Sequence, residues 1–173
     1  MIIENNAVQL QGIAFIDLEA SSLGSATFPT EVGWALIHEN GSVESGSCLI
    51  RPPAKWKMYE NAWNPASERL TGITKSMLDR DGVSPREALK RFLDAVGDRD
   101  LVTDEPSYDC HWLEMLADAA AISLDGRKLG DAKKLIERMG LTVEFDEPPQ
   151  HRAEADARRF AAAFAKAIKL VQP

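Results

Sequence analysis

FIDLEASS, Phe15 to Ser22, closes the apolar run Gly12 to Ile16 with two acids, Asp17 and Glu19. Such a run reads as a buried strand, and a carboxylate carried into those surroundings is costly unless something pairs with it. Side chains two apart on a strand point the same way, roughly 7 Å from each other. Asp17 and Glu19 therefore share one face, and Ile16 and Leu18 take the other. Two hard oxygen donors on a rigid strand suit Mg2+ or Mn2+ better than Zn2+, which prefers nitrogen and sulfur. A strand end emerging into solvent would carry the same acids at no cost, so the pair needs further ligands elsewhere in the chain.

HRAEADARRF (151–160) offers two of them. On one continuous helix His151 and Asp156 would diverge by ~140°. They converge only if His151 precedes the helix and Asp156 lies in its first turns, and Pro149 disfavours a start before Gln150. A histidine held beside a carboxylate there is a reasonable general base, because imidazole accepts a proton near neutral pH. The plainer alternative is a surface histidine beside acids that complement the helix dipole. LVTDEPSYDCHWL (101–113) supplies Asp104 and Asp109 between a strand and the next helix. Either could equally be a cap or a first-turn charge.

The rest of the chain reads as α/β. EVGWALIHEN (31–40) is a second strand with Val32, Trp34, Leu36 and His38 on one side, and 42–51 a third beyond the turn at Gly41. RPPAKWKMYENAWNP (51–65) is a loop around Pro52 and Pro53, and a short helix begins at Asn64-Pro65. Ser84-Pro85-Arg86-Glu87 opens a helix that Gly97 stops. DLVTD (100–104) is strand-like, and helices follow over 107–121 with Ser107 as cap, about 127–139, and about 152–171. The loop 51–63 interleaves Arg51, Lys55 and Lys57 with Trp56, Tyr59 and Trp63, a pattern suited to stacking on a single strand or simply to packing a loop on a sheet.

At 173 residues, with 45% hydrophobic and 27% charged, one globular domain over 1–173 is expected. MIIENNAVQL lacks the apolar core of a signal peptide, and no stretch is long enough to span a bilayer, which points to a cytoplasmic protein with no membrane partner. Cys48 and Cys110 match no metal or redox spacing and read as buried, reduced thiols. The net charge of −7 argues against a broad basic surface for duplex nucleic acid, but not against an enzyme that grips one chain end.

Taken together and in order, these segments resemble the DEDDh (DnaQ-like) 3′→5′ exonucleases, the group of RNase T, oligoribonuclease and polymerase proofreading subunits. FIDLEASSLGSATFPTEVGWALI is similar to the first motif, LTGIT (70–74) to a Gly-Ile-Thr segment of many members, YDCHWL (108–113) to the second motif and HRAEAD (151–156) to the third, over about residues 12–165. The resemblance implies a ribonuclease H-like fold: a mixed sheet of about five strands, the first three antiparallel, flanked by helices. It implies that Asp17, Glu19, Asp109 and Asp156 hold two divalent cations, Mg2+ or Mn2+, with His151 as the base that deprotonates the attacking water. The implied substrate is the 3′ end of single-stranded RNA or DNA, cut to nucleoside 5′-monophosphates. On the substrate side stand Leu23 as a wedge against the terminal base, with Ser21, Ser22 and Trp56. Thr103-Asp104 replaces the His-Asn or similar pair common before the second aspartate, which makes Asp104 a rival for Asp109 or a partner behind it. Related RNA-trimming enzymes dimerise, so a homodimer is compatible with the resemblance. The alternatives are a non-catalytic module on the same fold that binds nucleic acid or a polymerase, and a carboxylate–metal phosphatase acting on small molecules.

Overall fold

The computed structural model describes residues 10–24, 26–58 and 62–171. The N-terminal stretch read for a signal peptide (all but its last residue) and Tyr59 of the aromatic loop lie outside them. Five strands form one sheet in the order β3-β2-β1-β4-β5. Its centre is β1 (Ile13–Ala20), antiparallel to β2 (Pro29–Ile37), which is in turn antiparallel to β3 (Val43–Leu49). On the other side β4 (Asp100–Thr103) and β5 (Leu129–Asp131) run parallel to β1. The mixed α/β architecture, with the first three strands antiparallel, is the expected one.

The period-two alternation of β1 divides the core. Ala14, Ile16, Leu18 and Ala20 join one apolar cluster, while Ile13 and Phe15 join the other. The first cluster is covered by α4 (Pro85–Val96) and α5 (Pro106–Ala120), through Leu89, Phe92, Leu113 and Leu116. The second is covered by α7 (Ala153–Val171), whose Phe164 meets Phe15 with ring centroids 4.8 Å apart. Asp17 and Glu19 continue the Phe15 face, so both acids look toward α7. The strand also runs four residues beyond the apolar run, and its register with β2 slips between Glu19 and Ala20. A bulge at that point re-aims the end of the strand.

Helices cover both faces of β2, so its alternation does not mark a wet side, and the strand stops at Ile37. His38 falls in the turn closed by Gly41 at φ 77° and pairs with Glu44 at 3.0 Å. The proline loop contains a helical turn, α1 (Ala54–Lys57), because Pro53 can precede a helix that it could not sit within. The helix α2 (Pro65–Thr71) begins as expected, with Asn64 Oδ1 accepting from the Ala66 N–H at 2.8 Å. An unforeseen helix, α3 (Lys75–Asp81), follows LTGIT, capped by Thr74. Ser84 caps α4 through the Glu87 N–H, and Gly97 ends that helix at φ 57°.

The start of α5 differs from expectation. Glu105 occupies the cap position without a side-chain bond and Pro106 opens the helix, so Ser107 lies inside it. The stretch 127–139 divides into β5 and α6 (Ala132–Met139), with Asp131 accepting from the Lys133 and Lys134 N–H groups at 2.9 and 3.2 Å. Cys48 is buried, whereas Cys110 is only partly so and its Sγ donates to Glu114 Oε1 at 3.5 Å. No helix among the described residues is long and apolar enough to cross a membrane.

Candidate active site

The parallel pair β1 and β4 ends at the same edge of the sheet, and the N-termini of α5 and α7 meet there. Loops and helix starts beyond the carboxyl ends of parallel strands are where α/β folds commonly place ligands. β1 brings Asp17 and Glu19, the β4–α5 junction brings Asp104 and Asp109, and the start of α7 brings His151 and Asp156. They gather as two groups, Glu19 with His151 and Asp156, and Asp17 with Asp104 and Asp109. Within each group one potential ligand atom per residue lies within 4.8 Å of the others.

A glycine permits this approach. Gly33 faces Asp17 across β1 and β2, and a Cβ there would stand 2.3 Å from the carbonyl carbon of Ala153. No side chain fits that gap, so the first turn of α7 rests directly on β2. His151 lies just outside the helix at φ 54°, an uncommon conformation for a residue with a Cβ. Asp156 holds the bend, because Oδ1 accepts from the Gln150 N–H at 2.9 Å and Oδ2 from the His151 N–H at 2.7 Å. This is the geometry in which residues five apart converge. From the far side of Asp156, the Arg159 guanidinium lies 3.5 Å from Oδ1 and packs against the touching rings of Phe145 and Phe160.

Asp109, 2% exposed, accepts a hydrogen bond from the Thr103 hydroxyl at the end of β4 and a backbone bond from Leu18. Thr103, noted in the sequence only as a departure from pattern, is therefore the residue that orients Asp109. Asp104 is less buried and stands in the same group as Asp17 and Asp109.

Crowding raises the proton affinity of these acids. Asp17 is pushed well above the usual carboxylate range by burial first and then by Asp109, Glu19, Asp104 and Asp156. Glu19 is pushed up to about 8 by burial, Glu31 and Asp156, with Arg152 opposing. Asp109 rises to about 7 by burial, against the Thr103 bond, and burial also raises Asp104. Like charges gathered in a poorly solvated site disfavour ionisation. An oxygen-rich donor set of this kind fits hard divalent cations, with one imidazole at its margin.

The proposed substrate side turns out unevenly. Leu23 is 68% exposed on the loop after β1, which removes the alternative of a buried loop leucine. Ser21 and Ser22 are buried and their hydroxyls serve the loop itself. Ser21 Oγ accepts from the Phe28 N–H at 3.0 Å, and Ser22 Oγ donates to the Ala26 carbonyl at 2.8 Å. Trp56 is corrected outright: it is 2% exposed and stacked on Phe28, with no face open to a base. The loop was expected to use its aromatics either on a strand or on the sheet, and for Trp56 packing won. Trp63 is partly exposed, with Lys75 Nζ 5.4 Å from its ring centroid, beside a cavity of about 330 Å³ also lined by Phe28, Lys57, Leu78 and Asp79.

Glu31 is the residue the sequence reading passed over. It is 1% exposed, faces Glu19 across β1 and β2, and forms a two-point pair with Arg152, Nε at 2.9 Å and Nη2 at 3.0 Å. Its signal was present, since an acid at an inward position of a strand buried on both faces requires a cationic or hydrogen-bonding partner.

No protein-family model matches the chain, and no curated protein does. Among solved structures it is similar to Escherichia coli exonuclease I in a zinc-bound complex with single-stranded DNA, with a TM-score of 0.68 and 17% identity over 93% of this chain. It is also similar to an exonuclease I from Methylocaldum szegediense, with a TM-score of 0.66 and 15% identity over 93% of this chain. The match covers 41% of each of those longer proteins. Exonuclease X in complex with 5′ overhanging duplex DNA is similar over 92% of both chains, with a TM-score of 0.61 and 17% identity. At these identities the likeness is one of architecture: the chain has the fold shared by exonucleases I and X.

Proposed function

We propose that this protein is a metal-dependent 3′→5′ exonuclease that shortens single-stranded nucleic-acid ends, of the DEDDh type with His151 as general base. The observation that carries this reading is the convergence of Asp17, Glu19, Asp109, Asp156 and His151, from three separate chain segments, at the carboxyl ends of β1 and β4. A structural domain gains nothing from gathering acids whose proton affinity the gathering itself raises.

Asp17, Glu19, Asp109 and Asp156 would hold two divalent cations, Mg2+ or Mn2+, with Asp104 beside Asp109. Bound there, such cations supply charge neutralisation, a clamp on the scissile phosphate and Lewis-acid activation of both attacking and leaving oxygens. His151, held outside the helix by Asp156, takes the proton from the attacking water at an imidazole nitrogen. Thr103 keeps the Asp109 carboxylate turned toward Asp17. Exposed Leu23 stacks against the terminal base and directs the sugar–phosphate bond to the acids. The product is a nucleoside 5′-monophosphate. Exonucleases I and X are held with DNA in the structures this fold resembles, so DNA is the first substrate to try and RNA the second.

The test is digestion of a 5′-labelled single-stranded oligonucleotide, as DNA and as RNA, with Mn2+ or with EDTA. A ladder shortening from the 3′ end, present only with metal, is expected. Intact oligonucleotide in every lane, from folded protein shown by calorimetry to bind Mn2+, would refute the proposal.

A further inference from the structure

The three residues that lead into α7 and the first residue of the helix are each anchored, and to two different bodies. Gln150 and His151 donate their N–H groups to Asp156, which belongs to α7 itself. Arg152 and Ala153 instead bind the sheet: the Arg152 guanidinium takes both oxygens of Glu31, and the Ala153 N–H donates to Glu31 Oε2 at 3.1 Å. Ser47 of β3 donates to Glu31 Oε1 at 2.8 Å, so the carboxylate is fixed from the opposite side as well. The Asp156 bonds set His151 relative to the helix only. The seat of Ala153 on Gly33 fixes where the helix meets the sheet, and the Glu31 bonds tie the bend itself to the strand pair, with Glu31 directly across from Glu19.

We infer that the Glu31–Arg152 pair is a positioning device for His151, holding its left-handed backbone so that the imidazole stays in register with Glu19 and Asp156. This rests on the reading of His151 as the base. The residue type matters, because a guanidinium fork meets a carboxylate at two points and fixes direction, whereas an ammonium meets it at one. Arg152→Lys therefore keeps the charge that Glu31 needs and removes only the second point of attachment.

With saturating Mn2+ and a 5′-labelled single-stranded oligonucleotide, Arg152→Lys should lower kcat about 10-fold with KM unchanged, the signature of a displaced reacting group. In a His151→Ala background the same substitution should change kcat by less than about 2-fold, because the two residues then act through one pathway. The imidazole 1H–15N spectrum gives a readout independent of turnover. The chain has three histidines, and His151→Ala identifies the signal of interest. That signal should be a single sharp set in the parent protein and broaden or split in Arg152→Lys, while those of His38 and His111 stay in place. Unchanged kcat and an unchanged His151 signal would overturn the inference, as would an equal loss of kcat in both backgrounds. A parent protein that cleaves no oligonucleotide would defeat the nuclease reading alone, and the imidazole spectra would then decide the positioning role by themselves.

Discussion

Glu19 and Glu31 are cross-strand partners on the same face of the sheet, but their surroundings differ in kind. Glu31 accepts from Ser47, twice from Arg152 and from the Ala153 N–H, so folding itself supplies everything a buried carboxylate needs. Among the described residues no donor bonds Glu19 or Asp17, and both meet other acids instead. One carboxylate is thus part of the scaffold. The others are held by the scaffold at a cost, and that cost is recovered only when something positively charged arrives. The scaffold region should fail when its acid is removed, and the unpaired region should relax.

The largest effect should come from the unpaired side. Asp17→Ala is expected to reduce kcat at least about 1,000-fold in the oligonucleotide ladder assay. The same variant should unfold at a higher temperature than the parent in EDTA, since a like charge has gone. A metal-free protein that is less stable without Asp17 would break the comparison.

Stability separates the two glutamates next. Glu31→Ala removes the acceptor shared by Ser47, Arg152 and the buried Ala153 N–H and should cost about 2 kcal/mol in urea unfolding. Glu19→Gln should stabilise the metal-free protein by about 1 kcal/mol at alkaline pH. Opposite signs for two residues that face each other are the sharpest form of the contrast.

A pH titration sharpens it again. An acid whose folded pKa is raised keeps its proton in the native state after the unfolded chain has lost it. The stability contributed by Glu19 and Asp109 is therefore in place near their ordinary values of 4.5 and 3.8, and is lost as pH rises through about 8 and about 7. Metal-free protein should accordingly melt lower at about pH 8.5 than at about pH 5.5, and Mn2+ should raise the melting temperature more at the higher pH. A gap between metal-bound and metal-free melting curves that narrows with rising pH would contradict the assignment.

The smallest effect is expected at Leu23. Its side chain is exposed, so Leu23→Ala should leave the melting temperature within about 1 °C while raising KM about 3-fold. Trp56→Ala should do the reverse, costing about 3 kcal/mol through the cavity beside Phe28 with little direct effect on KM.

Much of this was legible in the residues because it is local. The central strand followed from an apolar run, the helix starts at Asn64 and Ser84 from capping chemistry, and the displaced position of His151 from Pro149 and the five-residue spacing to Asp156. The start of α5 was misread because Ser107 and Glu105 are both acceptable near a helix start, and Pro106 decides between them. The strand β5 and the helix α3 were missed because three residues beside β4, and seven after LTGIT, carry too little pattern of their own.

The sequence by itself determined which acids could serve and that Asp17 and Glu19 share a face, since side-chain direction on a strand depends only on parity. Tertiary structure alone decided that this face is the one α7 covers, that Gly33 lets the helix come close enough, and that Thr103 rather than a residue of α5 turns Asp109. It also decided that Trp56 is core and Leu23 is surface. Those outcomes depend on which segments meet across the sheet, and segments distant in the chain meet according to packing, which no local pattern records.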